Sequence, residues 1–227
     1  MIKRIFFLFV KIVIGAWIFS VVLVVAYRFL PVPMTPLMLI RLGEGALQGR
    51  WVGINKEWVS YEEISPAVFR AVMSGEDGKF LRHGGIDWEA VEKARKRNEQ
   101  AKGKKVYGAS TITMQTAKNA FLIPVRSYIR KALEAYFTYM IEFIWGKKRI
   151  LEVYVNIIEM GDGIYGIEAA SRTYFGKSAK DLSSQEASLI AAVLPNPRRW
   201  SPAKPTGYIL KRAGFIQGRM SGMPLPK

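Results

Sequence analysis

A mainly helical body behind a single membrane-spanning helix is the fold class that the sequence predicts, and three observations predict it. Residues Ile5 to Tyr27 are apolar apart from Lys11, a run of about 34 Å as helix, enough to cross a hydrocarbon core of about 30 Å. Beyond residue 60, helix caps and helical spacing of apolar residues recur almost throughout, whereas period-2 alternation is scarce. With 227 residues and 50% hydrophobic content, the chain can bury one core of ordinary size.

The elements follow in order. Lys3 and Arg4 precede the apolar run and place the N-terminus in the cytoplasm, with everything after Tyr27 outside. The run exceeds the core of a cleaved leader, for which Val24-Val25-Ala26 would be the cleavage site, so a retained anchor is expected. Pro31, Pro33 and Pro36 punctuate a spacer, and Leu37-Met38-Leu39-Ile40 lies either against the membrane or over the core. Trp51 to Ser60 is the one plausible strand pair. Ser65-Pro66 reads as N-cap and first-turn proline of a helix ending near Ser74-Gly75, with Glu76 and Asp77 closing it. Asp87 caps a second helix to about Ala101. Along its exposed side run Lys93, Arg95, Lys96, Arg97, Lys102, Lys104 and Lys105, and Gly103 and Gly108 predict a mobile loop.

Ser110 is expected to cap the next helix, on which Thr111, Gln115 and Lys118 share a face. A helix from Ser127 to Trp145 should bury Ile129, Leu133, Phe137, Met140 and Ile144 and carry Arg130, Glu134 and Glu142 on a polar stripe. Helix continues from Lys147 to Met160, ahead of the turn Gly161-Asp162-Gly163, and the capping box Ser183-Ser184-Gln185-Glu186 opens a last helix to Leu194. The organisation expected is 1–30 cytoplasmic tip and anchor, 31–59 membrane-proximal spacer, 60–205 main body and 206–227 tail.

Composition narrows the chemistry. The absence of cysteine removes thiolate nucleophiles and sulfur-ligated metals, and a single histidine, His83, excludes a multi-histidine metal site. Catalysis must rest on carboxylates, hydroxyls and cations. The net charge is +16, and with Lys3, Arg4, Lys11 and Arg28 set aside the remainder is still strongly basic, so a partner met through long-range electrostatics is anionic. The basic run after Lys93 lacks interleaved aromatics and reads as a solvated face or lipid-headgroup contact, not a nucleic-acid groove.

Glu76 and Asp77 face the negative end of their helix dipole, a placement that stability alone disfavours, and such a carboxylate can act as a general base. His83 reads as a hydrogen-bonded structural histidine more than as a catalyst. Glu134 has Arg130 and Lys131 at the spacing of routine surface ion pairs, worth ~0.2–0.5 kcal/mol each. With Lys118 and Gln115 on a neighbouring helix, the same stripe becomes a candidate phosphate cradle. Ser201-Pro202-Ala203-Lys204 formally matches a Ser-x-x-Lys nucleophile, but only a short tail follows it.

The segments Glu76 to Gly85, Gly108 to Asn119 and Arg130 to Glu134, with Lys148 to Asn156 and Gly166 to Lys177, resemble the ordered motifs of the family 51 peptidoglycan glycosyltransferases over about residues 60–202. No transpeptidase domain follows, so the chain resembles the monofunctional biosynthetic branch. Met114, Thr138 and Val155 stand where glutamine, alanine and leucine are commoner. The resemblance implies a lysozyme-like helical fold of two lobes around a cleft. It also implies joining of lipid II units by β-1,4 bonds, with the growing chain leaving undecaprenyl pyrophosphate. It assigns the base to Glu76, the second glutamate to Glu134 and the donor pyrophosphate to Lys118, Arg130 and Lys131. Asp77, Phe80, His83, Ser110, Thr111, Gln115 and Asn119 are expected at the substrate. No metal ligand is assigned, and a divalent cation, Mg or Mn, at the pyrophosphate is left open. The expected partners are lipid II, the glycan chain, membrane lipids and other cell-wall synthesis and division proteins, with no nucleic acid. The expected place is the bacterial inner membrane, with the catalytic body periplasmic. A lysozyme-like hydrolase or lytic transglycosylase, and a non-enzymatic cell-wall scaffold, are the rival readings.

Overall fold

The computed structural model describes residues 2–50, 53–101, 107–125 and 127–226. Helix α1 (Ile2–Phe29) is long and apolar enough to cross a membrane. Thr35 caps α2 (Pro36–Leu47), accepting from the Met38 amide at 3.3 Å. Ser65 and Pro66 start α3 (Pro66–Glu76) as expected, and Asp87 Oδ1 takes the Ala90 amide at 2.9 Å to start α4 (Trp88–Ala101). The loop expected around Gly103 lies outside the described residues.

Helix α5 (Ile112–Phe121) is capped by Thr111 and not by Ser110: Thr111 Oγ1 accepts from the Met114 amide at 3.1 Å and donates to the Gly85 carbonyl at 2.5 Å. Ser127 caps α6 (Tyr128–Ile157), which bends at Gly146, where a φ of 74° puts the backbone in the left-handed region that glycine adopts cheaply. The helix stops at Ile157, short of the expected Met160, which belongs to a strand. Its outer face also departs from expectation. Phe137 is buried, but Ile129 and Leu133 are exposed, beside exposed Tyr128 and Phe143.

The expected strand pair is not local. Among the described residues of that stretch the one strand is β1 (Asn55–Lys56), and it pairs in parallel with β3 (Ile164–Tyr165), which in turn pairs antiparallel with β2 (Glu159–Gly161). Trp51 and Val52 lie outside the described residues. Asn156, fully buried at the end of α6, anchors this ribbon by exchanging bonds with Val59, its Nδ2 donating to the carbonyl at 2.9 Å and its Oδ1 accepting from the amide at 3.0 Å. Helix α7 (Ile167–Phe175) follows, then α8 (Ser184–Val193) with the expected Ser183–Glu186 capping box. Residues 206–227, expected as a tail, contain α9 (Gly207–Met220), which buries Ile209, Ala213, Ile216 and Met220 against α3 and α8. Most of that segment is therefore packed body.

The core gathers around α5 and α6, whose pairing is the most extensive in the molecule, with α3, α8 and α9 closing the other side. Helix α1 docks onto α6 near its bend. The Trp145 indole donates to the Val24 carbonyl at 2.7 Å, Arg149 donates to the carbonyls of Tyr27 (2.8 Å) and Leu30 (2.5 Å), and Ser20 shares a hydrogen bond with Tyr136.

Candidate active site

Three elements deliver the site: the C-terminus of α3 carries Glu76, the middle of α5 carries Gln115 and Lys118, and the first turns of α6 carry Arg130, Lys131 and Glu134. Glu76 Oε2 accepts from Gln115 Nε2 at 3.1 Å, and Gln115 Oε1 accepts from the buried Tyr154 hydroxyl at 3.3 Å. The amide is thus oriented from behind, so its NH2 rather than its oxygen meets the carboxylate. Burial raises the Glu76 pKa above the ordinary carboxylate value, against the opposing pull of the Gln115 bond, of Arg212 and of Lys118. A carboxylate held in this state is a stronger proton acceptor than a solvated one. Burial likewise keeps Tyr154 protonated, its pKa raised well above the usual phenol.

The cation cradle is less superficial than its spacing suggested. Glu134 is 3% exposed, and both its oxygens are engaged, Oε2 by Arg130 Nη1 and Oε1 by Lys131 Nζ at 2.5 Å. The Arg130 side chain is 18% exposed and that of Lys131 is 51% exposed. Burial lowers the Lys118 pKa, while attraction to Glu134 holds it up. The expected surface ion pair is therefore a buried carboxylate paired with two cations, with a third, Lys118, near enough to feel its charge. Both Glu134 oxygens have cationic side chains as partners, and a divalent cation would have to share them. Among the described residues no group of three or more His, Asp or Glu is placed to hold one.

Several expected substrate residues also help build the wall that sets these groups. Asp77 caps the end of α3, and its carboxylate accepts from the Ile112 amide at 3.0 Å and meets His83 Nε2 at 3.0 Å. This ties the α3 terminus to the first turn of α5 and gives His83 a hydrogen-bonded place beside it. Phe80 is 1% exposed, with the Lys147 ammonium 4.5 Å from its ring centroid, so its side chain belongs to the core and not to the cleft. Lys147 also donates to the His83 carbonyl and to Glu142, which accepts from Thr113 as well. Gly85 sits under this network at a φ of 94°, and a Cβ there would come within 2.7 Å of Thr138 and 2.9 Å of Glu142. Thr111 is buried as the α5 cap yet borders the cleft together with Asp77 and the exposed Ser110, and Asn119 is half-buried.

Sequence reasoning missed Arg212. From α9, its Nη2 stands 3.5 Å from Glu76 Oε1 and from the Gly75 carbonyl. A cleft of about 530 Å3 opens at Glu76 and is lined by Lys79, Arg82, Asp87, Ser110 and Arg219.

A sequence model of the Transglycosylase family matches residues 45–221. A protein of Rhodospirillum centenum called biosynthetic peptidoglycan transglycosylase is 52% identical over 97% of this chain and 93% of its own length. Proteins of the same description from Bdellovibrio bacteriovorus, 53% identical over 93% of this chain and 84% of theirs, and from Caulobacter vibrioides, 51% identical over 89% and 84%, are similar along nearly the same span.

Proposed function

The chain belongs to the transglycosylase family of peptidoglycan-synthesising enzymes, and we propose on that premise that it joins lipid II into β-1,4-linked glycan with Glu76 as general base. The helical body is the family's lysozyme-like fold. The observation that carries the assignment is that one face of α5 joins the two halves of the chemistry. Gln115 orients Glu76, and Lys118, three residues on, feels the charge of both Glu134 and Glu76.

In the reaction, the 4-hydroxyl oxygen of the acceptor lipid II attacks the anomeric carbon of the growing strand. Its proton passes to Glu76 as the anomeric carbon–oxygen bond to pyrophosphate breaks, with inversion. The bonding pair leaves with the pyrophosphate, which Lys118, Arg130 and Lys131 neutralise. Pyrophosphate is already a good leaving group and needs charge stabilisation more than a proton. Glu134 fixes Arg130 and Lys131 in place and limits the cradle's net charge, so that product can depart. Any divalent cation would be carried by the pyrophosphate oxygens. A lytic enzyme acting on neutral glycan would have no use for three cations around Glu134.

The body stands outside the inner membrane, with Lys3 and Arg4 cytoplasmic, where the lipid-linked substrate and the glycan product meet it. Incubating the purified protein with lipid II tests the reading. Polymer and free undecaprenyl pyrophosphate are expected, whereas cleavage of preformed glycan, or no reaction, would refute it.

A further inference from the structure

Beside the apolar seam of α9 runs a second line of residues, Tyr208, Arg212, Phe215 and Arg219. Their spacing of four, three and four places them within one narrow arc at about 100° per residue. Tyr208 is 60% exposed and Phe215 64% exposed. Each is a large ring left in water although the same helix buries its apolar seam well. The line is continuous with the catalytic centre. Arg212 reaches to 3.5 Å from Glu76 and keeps its buried Nε without a partner, and Arg219 lines the cleft that opens at Glu76. The Arg219 guanidinium lies 5.2 Å over the Phe215 ring, and among the described residues no acidic side chain pairs with it. At the far end the Trp200 ring meets Tyr208 at 5.5 Å between centroids.

We infer that this stripe is a binding subsite for the nascent glycan strand, running outward from the bond-forming centre. The inference rests on the function proposed above. Exposed aromatic rings stack on the flat carbon–hydrogen faces of sugars, and Tyr208 and Phe215 stand about 10 Å apart along the helix axis, close to one disaccharide repeat of a β-1,4 glycan. Arg219 alongside, with no acidic partner among the described residues, suits a strand whose peptide branches carry carboxylates. A lipid contact fits the position less well, since α9 packs on α3 and α8 while the anchor docks on α6.

The test uses the full chain in lipid vesicles with lipid II, comparing the parent with Tyr208→Ala, Phe215→Ala, their double variant and Phe215→Trp. Three readouts are taken: the distribution of strand lengths, the rate of lipid II consumption and the melting temperature. Strand length should fall by roughly two- to tenfold for each ring lost, out of proportion to any change in consumption rate, and Phe215→Trp should retain long strands. Unchanged lengths would overturn the inference. So would rate and melting temperature falling together, which marks a structural role, or weaker vesicle binding with lengths intact, which marks a membrane contact. A parent that makes no polymer would instead overturn the functional reading, and the stripe with it.

Discussion

Replacing Glu134 with glutamine should cost stability that added pyrophosphate restores. The side chain keeps its shape, but Arg130 and Lys131 lose the carboxylate that both engage, and Lys118 loses the attraction that offsets its burial. Three cations then face one another in a partly buried setting. Removing one partner of a buried pair costs ~3–5 kcal/mol. The half-exposed Lys131 contributes little to that loss because water screens it, so the effect falls chiefly on Arg130 and Lys118. For a chain of this size each kcal/mol moves the melting point by about 2–4 °C, so Glu134→Gln should melt roughly 6–20 °C below the parent. The uncompensated cradle should then bind inorganic pyrophosphate more tightly than the parent does, and saturating pyrophosphate should recover much of the lost stability by mass action. Thermal unfolding followed by circular dichroism in detergent, with and without pyrophosphate, measures both effects. A variant that melts within about 2 °C of the parent, or that gains nothing from pyrophosphate, would show that Glu134 is not the counter-ion of an anion cradle.

Other consequences are equally concrete. Glu76→Gln should lower the polymerisation rate by ~10²–10⁴ while lipid II binding persists; near-parental turnover would remove Glu76 from the reaction. Because burial raises the Glu76 pKa, activity should rise with pH through that raised value as the base ionises. Its stabilising contribution is full while it is protonated, below its unfolded pKa, and is lost as pH rises through the folded value. Glu76→Gln should accordingly flatten this part of the pH dependence of stability and melt no lower than the parent at neutral pH. Tyr154→Phe frees the Gln115 amide to turn, which should shift the acid limb of the pH–rate profile upward and cost about 0.5–1.5 kcal/mol of stability; an unmoved limb would separate Tyr154 from the base. Protease added to cells with a permeabilised outer envelope should digest the region after Tyr27, and full protection would reverse the topology.

Local chemistry made much of this legible. Ser65-Pro66, Asp87 and the Ser183–Glu186 box act within one helical turn, so their caps appear where the residues say they should. The shared face of Gln115 and Lys118 follows from helical geometry alone. What could not be read depends on distant packing. Arg212 meets Glu76 across 136 positions, with no local pattern to announce it. The Arg130–Glu134 spacing is identical on an exposed helix and a buried one, and it is the packing of α6 that hides Glu134. Ser110 and Thr111 are adjacent hydroxyls, and the Gly85 carbonyl, from another segment, makes Thr111 the cap. Ile129 and Leu133 misled for a different reason: an apolar stripe marks a face turned from water, and beside an anchor helix that face need not be the protein interior. Helix α9 was readable, since Ile209, Ala213, Ile216 and Met220 keep a helical period.

The docking of α1 on α6 changes what kind of attachment the anchor is. Trp145 and Arg149 donate to carbonyls at the end of the apolar helix, so the body is braced against it and does not swing as it would on a flexible leash. The cleft is thereby held at a set angle to the anchor helix. Cutting the chain after the anchor should therefore cost the body stability, read as a lower melting temperature of the fragment. It would strip the Trp145 indole and the Arg149 guanidinium of their acceptors and open Phe121 and its neighbours, where Tyr27 now stacks, to water.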